Sequence, residues 1–214
     1  MQLQDIFFPD PQKNLDYDEE LLYLADKEGQ RAVLRFWESP KIFVVVGRIG
    51  KIEEDVNVKA AEKDDVPILR RASGGGTVVQ GPGCLNYTLV LSKQDHPVLN
   101  DLRKSYEWVS QKVIDALRPL GVEAVFRPIS DIAVAGTEKK FSGNAQKRGK
   151  NFILHHGTIL YDLDLLLIPK YLSMPKDVPE YRKDRSHLDF VTNIPIDPVA
   201  FKARFSSIFG CLPV

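Results

Sequence analysis

Three consecutive glycines, Gly74-Gly75-Gly76, stand between the apolar run Val66-Pro67-Ile68-Leu69 and the segment Thr77-Val78-Val79-Gln80. Bare backbone of this kind cannot serve packing, and ordering it costs more conformational entropy than ordering any other residue. The stretch therefore separates two strand-like segments and lets something approach the main chain. Arg70, Arg71 and Ser73 lie just before the glycines. Arg is the side chain best suited to planar, bidentate capture of phosphate or carboxylate. The local reading is a loop whose N–H groups receive an anionic ligand, with Arg70 or Arg71 clamping it. A plain glycine-rich hairpin turn is the alternative. The pattern is neither G-x-x-x-x-G-K-[ST] nor G-x-G-x-x-G, so the common nucleotide motifs do not apply.

A chain of 214 residues fits one large domain, or a domain with a small appendage, and can bury a substantial core. Its 29 Lys+Arg balance 29 Asp+Glu. A dedicated binder of nucleic acid or anionic membrane would carry a basic excess, so neither partner is expected. The two cysteines, Cys84 and Cys211, have no metal-ligand spacing. They point to a reducing compartment, the cytoplasm, rather than to a disulfide scaffold. The N-terminus lacks the basic and apolar regions of a signal peptide, and no apolar run is long enough to span a bilayer.

Hydrophobic patterning predicts a helix from Asn14 to Asp26 with an acidic first turn, then strands over Ala32–Glu38 and Ile42–Gly47. Lys51–Asp64 reads as helix or loop. Val66–Leu69 and Thr77–Gln80 are short strands on either side of the glycines, and Cys84–Leu91 is a strong one. Apolar residues at helical spacing mark Leu102–Leu117. Ala124–Phe126, Asp131–Val134 and Phe152–Leu160 are strands, and Lys139–Lys150 is basic and polar with no assigned element. A helix is expected to start over Asp162–Leu167, a loop over Pro175–Asp189, and a closing helix over Pro198–Phe209. The whole reads as a single α+β domain.

Two further stretches carry chemistry: Lys140-Phe-Ser-Gly-Asn-Ala-Gln146 following Asp131-Ile-Ala-Val134, and His155-His156-Gly157-Thr158-Ile-Leu160. Taken in order with Arg70–Gly76 and with Thr192-Asn193, the chain resembles the lipoate–protein ligase family, within the wider group of biotin and lipoate ligases and octanoyltransferases. The resemblance runs from about Asn14 to Asn193. It implies a biotin/lipoate-ligase-like, class II synthetase-like fold with a central mixed or antiparallel sheet flanked by helices. It further implies an enzyme that uses ATP and Mg²⁺ to convert lipoate, or octanoate, to an acyl-adenylate. The acyl group then passes to a lysine of a lipoyl domain, of the 2-oxoacid dehydrogenase E2 or glycine-cleavage H protein kind. Adenylation gives the carboxylate a leaving group, and its charged transition state calls for preorganised donors.

By that resemblance Lys140 is the catalytic residue, touching both the acyl carboxylate and the α-phosphate. Arg71, Ser73, Gly74, Gly75, Gly76 and Thr77 form the lipoate- and phosphate-facing loop. Asp131 serves the nucleotide and Mg²⁺, a carboxylate-plus-phosphate environment that suits this ion. Ser142, Gly143 and Asn144 shape the boundary of adenosine and acyl sites, and His156, Gly157 and Thr158 follow on the next strand. For the two histidines, one buried and hydrogen-bonded and one exposed is an equal alternative to direct catalysis, and for Asp131 the alternative is a carboxylate capping a turn. Two departures from the family stand out: Gln80-Gly81-Pro82-Gly83 after the glycine loop is closer to octanoyltransferases, and Ser130 replaces an asparagine before Asp131. The transferase reading, an ATP-independent exchange of octanoyl or lipoyl groups between carrier proteins, needs a Cys nucleophile. The positions before His155-His156-Gly157 contain none. A third reading is a binding module that holds lipoyl domains without turnover. The expected organisation is one catalytic domain over residues 1–214 with no C-terminal accessory domain, that function being either absent or supplied by a separate polypeptide.

Overall fold

The computed structural model describes residues 1–29, 31–176 and 178–211. Strand β1 (Gln2–Asp5) leads into helix α1 (Pro11–Glu28). Asp10 caps α1 by accepting from the Gln12 amide, Pro11 fills its first turn, and Gly29 ends it in the left-handed region. This cap starts the helix three residues before the expected Asn14. The carboxylates therefore fall beyond the first turn rather than in it.

There follow β2 (Val33–Trp37), β3 (Phe43–Val46), α2 (Ile52–Asp55), α3 (Val58–Lys63), β4 (Ile68–Arg70), β5 (Val78–Gln80) and β6 (Cys84–Ser92). The segment read as helix or loop is thus two short helices, the second capped by the Asn57 side chain. After α4 (Leu102–Leu117) come β7 (Ala124–Arg127), β8 (Asp131–Val134), β9 (Lys140–Arg148) and β10 (Phe152–Leu160), then α5 (Leu167–Tyr171), α6 (His187–Phe190) and α7 (Pro198–Ile208).

Seven strands form one sheet in the order β1-β2-β6-β10-β9-β8-β7, and three form a second in the order β4-β3-β5. β1 is parallel to β2 and β3 to β4; the other pairs are antiparallel. On one face of the large sheet, α4 and α7 seal a core of Phe36, Leu89, Val113, Phe141, Ile153, Phe201 and Phe205. On the other, α1 packs Leu21, Leu22 and Ala25 against Val33, Val90 and Leu154. The small sheet builds its own core around Val44, Val46, Val79, Leu163 and Tyr171. The architecture is α+β, a mixed sheet flanked by helices.

Two sequence expectations need correction. The helix predicted from Asp162 begins only at Leu167, because the Asn193 side chain bonds both the amide and the carbonyl of Leu163 and holds that segment as a loop. Within the loop expected over Pro175–Asp189, a turn of 3-10 helix spans Glu180–Arg182, and α6 starts at His187 under a Ser186 cap. Asp177 of that segment lies outside the described residues.

Candidate functional site

The glycine loop leaves β4 and is braced by its own arginines. Arg71 is buried, and its Nη2 donates to the carbonyls of Gly74 (2.7 Å) and Gly76 (2.8 Å) while Nε donates to Ser73 Oγ (3.1 Å). Burial lowers its pKa to about 10, so it stays charged at neutral pH. Arg70 Nη1 donates to the carbonyls of Gly47, Arg48 and Gly50. Both guanidiniums expected to clamp a ligand are here directed at main-chain oxygens. Among the described residues no protein acceptor takes the amides of Gly74, Gly75 or Gly76. Gly75 has φ +87°, and a Cβ there would lie 2.9 Å from Arg71 Nη2 and 3.7 Å from the Ala145 methyl on β9. A Cβ on Gly74 or Gly76 would meet open space. Thr77 Oγ1 ties the loop's exit to Asp55 at 2.8 Å. The loop therefore lies over β9, held from beneath by Arg71, with bare amides available to an anion.

Along β9 and β10, alternate side chains divide between two faces. Gly143 pairs with Thr158 and Ala145 with His156, and these four look toward the glycine loop. Asp131 pairs with Gly143, and a bulge between Ile132 and Ala133 brings Lys140 onto the same face. Lys140 Nζ lies 2.7 Å from Asp131 Oδ1. A Cβ on Gly143 would come within 2.9 Å of that Nζ, so glycine is what lets the lysine lie across the strand. Tyr181 donates to the other Asp131 oxygen at 2.8 Å; burial and the Asp131 carboxylate push its hydroxyl pKa up. Among the described residues no three His, Cys, Asp or Glu side chains cluster to hold a metal. A Mg²⁺ that came with nucleotide phosphates would have Asp131 as its carboxylate, whose two oxygens are engaged here by Lys140 and Tyr181.

Ser73 Oγ faces His156 Nε2 at 2.6 Å, and His156 Nδ1 faces Asp18 Oδ2 at 3.3 Å. The carboxylate assigns the imidazole proton to Nδ1, so Nε2 accepts from the serine. Asp18 is itself fixed by Arg35 (2.6 Å) and Thr88 (2.8 Å), all three buried. Thr158 Oγ1 accepts from Gln80 and donates to Asn86, both at 2.6 Å, which ties β10 to β5 and β6.

The structure thus brings Lys140, Asp131, Gly143, His156 and Thr158 to one face, opposite the loop Ser73–Thr77. It places Ser142 and Asn144 on the other face, paired with Ile159 and Gly157 and turned toward the helices. Asp18 and Tyr181 were missed by the sequence reading. Asp18 is one of several carboxylates in an acidic helix, and Tyr181 sits in a charged, proline-bearing segment, so neither had a signal of its own. Tyr87, buried in an apolar strand, had none either.

A family model described as the lipoyl protein ligase A/B catalytic domain matches residues 10–197. The probable lipoate-protein ligase A of Mycoplasma pneumoniae is 35% identical over 169 residues, 77% of this chain and 48% of that protein. The lipoate-protein ligase LplJ of Bacillus subtilis is 34% identical over 185 residues, 86% of this chain and 53% of that protein. The chain therefore spans about half the length of these relatives. Among solved structures, a bipartite lipoate protein ligase studied with its E2 lipoyl domain from Thermoplasma acidophilum has a TM-score of 0.83 at 26% identity, covering 98% of this chain and 84% of that one. A lipoate-protein ligase A bound with ATP has a TM-score of 0.81 at 25% identity, covering 98% and 85%. With its matched span taking in the glycine loop, the Lys140–Asp131 pair and the His156 strand, this chain belongs to the lipoyl protein ligase A/B catalytic domain family.

Proposed function

We propose that the chain is the catalytic domain of an ATP-dependent lipoate–protein ligase. It joins lipoate, or octanoate, to ATP as the acyl-adenylate and passes the acyl group to a lysine of a lipoyl domain. The observation that carries this reading is the Lys140–Asp131 pair lying across Gly143 and facing a loop of bare amides. A compact ammonium can touch carboxylate and α-phosphate oxygens together as negative charge develops on both. The backbone amides of Gly74–Gly76 supply further donors without any side chain to move. Asp131 holds the ammonium in place; a Mg²⁺ entering with the triphosphate would add neutralising charge beside the same carboxylate. Ser73, with its proton engaged by His156, offers its oxygen to donors rather than its proton to the substrate.

The likeness to a ligase with ATP bound supports the nucleotide. The likeness to a bipartite ligase studied with an E2 lipoyl domain supports a lipoyl-domain acceptor, with an H-type protein as the other candidate, and a separate accessory polypeptide. A cytoplasmic setting fits the two free thiols. Among the described residues no helix is long and apolar enough to cross a membrane.

The transferase reading needs a reactive thiolate. Cys84 is fully buried, and desolvation pushes its thiol up to about 12; burial raises Cys211 as well. Neither is an activated nucleophile. The test is pyrophosphate release with lipoate, ATP and Mg²⁺, followed by mass analysis of a lipoyl domain. Cys84→Ser combined with Cys211→Ser should retain both steps. ATP-independent transfer from an acyl carrier, or an acyl thioester on Cys84, would replace the ligase reading.

A further inference from the structure

Behind the Lys140–Asp131 pair, on the helix-covered face of the sheet, a line of buried polar groups ends at the backbone just before Asp131. Arg148 Nη1 donates to Gln146 Oε1 (3.0 Å), Gln146 Nε2 faces His155 Nδ1 (3.0 Å), and His155 Nε2 faces Asn144 Oδ1 (3.3 Å). The Tyr87 hydroxyl donates to the same Asn144 oxygen. Asn144 Nδ2 then donates to the Ser130 carbonyl (2.8 Å), as does the Asn144 backbone amide (3.1 Å).

The direction of this line is forced. Arginine has no acceptor, so Gln146 must turn its oxygen to Arg148 and its NH₂ to His155. His155 Nδ1 is therefore bare and Nε2 carries the proton. Asn144 Oδ1 receives two donors, which leaves its NH₂ for Ser130 alone. Burial holds His155 neutral, as this arrangement requires. Gly157 is part of the construction, because a Cβ there would overlap Asn144 Oδ1 and come within 2.5 Å of the Tyr87 hydroxyl.

We propose that Tyr87 is a positioning residue for the reaction. By fixing the Asn144 carboxamide it fixes the Ser130–Asp131 peptide, and so sets where the Asp131 carboxylate meets the Lys140 ammonium. The proposal rests on the reading of that pair as the reacting centre. Tyr87 touches neither residue; its influence passes through Asn144, which holds the Ser130 carbonyl.

The test is Tyr87→Phe, which keeps the ring contacts with His155 and Phe205 and removes only the hydroxyl. Losing one buried hydrogen bond predicts pyrophosphate release slowed by roughly 3- to 10-fold, with the KM for the acceptor domain unchanged. On an Asp131→Asn background the same substitution should cost nothing more, because the group it positions is gone. An unchanged rate, or an equal loss on both backgrounds, overturns the proposal. An independent readout is the NMR signal of ¹³Cε-labelled Lys140, assigned by its disappearance in Lys140→Arg. It should move in Tyr87→Phe toward its place in Asp131→Asn, and an unmoved signal overturns the proposal. If the wild-type protein releases no pyrophosphate, the ligase reading fails, and the lysine spectrum alone then decides the role of Tyr87.

Discussion

His155 and His156 are neighbours in sequence and opposites in environment. His155 lies on the helix-covered face of β10, fully buried, with both ring nitrogens engaged by the carboxamides of Gln146 and Asn144. His156 lies on the loop-covered face, half-buried, between a serine of the glycine loop and a carboxylate of α1. One face is closed and consolidated, with every step in its hydrogen-bond line fixed by the step before. The other presents an ammonium, a carboxylate and unengaged amides. The β9–β10 ribbon therefore divides by strand parity: on the proposed function, the closed face sets the backbone and the open face displays the groups that meet substrate.

Substitutions on the two faces should fail in different ways. The largest effect is expected on the open face. Lys140→Ala should slow acyl-adenylate formation by about 10²-fold or more, the usual cost of removing a preorganised donor to a charged transition state. Lys140→Arg should recover little, since a planar fork cannot take the place of a compact charge. The substitution also leaves the buried Asp131 carboxylate without its cation, so a melting curve accompanies the rate to separate lost chemistry from lost stability. Near-normal adenylate yield from Lys140→Ala would remove the functional distinction between the faces.

Next comes Gly157→Ala on the closed face. The new methyl meets Asn144 and the Tyr87 hydroxyl, an overpacking that costs about 1–3 kcal/mol. For a chain of this size the melting temperature should fall by about 2–4 °C for each kcal/mol. Calorimetry checks this. A variant that melts like the wild type would mean that the closed face is looser than its hydrogen bonds indicate.

Gly75→Val tests the loop that covers the open face. At φ +87° a side chain is strained by about 1–2 kcal/mol, and a Cβ would press on the Arg71 guanidinium that braces the loop. The KM for lipoate should rise far more than that for the acceptor domain, and stability should fall by no more than this strain. A lipoate titration beside a melting curve separates the two. Normal lipoate binding by the folded fraction of a destabilised variant would make the triple glycine a structural turn only.

The same division explains what could be read from sequence. Strand β6 and helix α4 are legible because each has an apolar face with the right period, and β10 as a run of apolar residues interrupted by two histidines. Strand β9 was invisible: Lys140, Gly143 and Ala145 serve the open face, while Ser142, Asn144 and Gln146 are buried polar groups on the closed one. Neither parity is apolar apart from Phe141, so no hydrophobic alternation survives. Lys140, Asp131 and the glycine loop were found as motifs. The Tyr87–Asn144 and His156–Asp18 contacts join residues 57 and 138 positions apart, and nothing local marks them. Even the motif residues Ser142 and Asn144 could not be assigned to a face, because the bulge that changes the register between β8 and β9 has no signature in the residues around it.

The smallest expected effect concerns acid. Burial lowers the His155 pKa from 6.5 to about 3. A histidine whose folded pKa is depressed favours the folded state while it is neutral. Its contribution is present above the unfolded value near 6.5 and is lost progressively as pH falls toward 3. Protonating Nδ1 would also set it against the Gln146 NH₂, which cannot turn away without losing Arg148. Between pH 7 and pH 5.5 the loss should be about 1 kcal/mol. His187 is lowered by burial as well, so the wild-type slope alone does not isolate His155. The difference between wild type and His155→Gln does, because His187 is common to both. Denaturant titrations at the two pH values should show the variant losing about 1 kcal/mol less than the wild type. Equal acid sensitivity in wild type and His155→Gln would mean that the closed face takes up protons as readily as the open one.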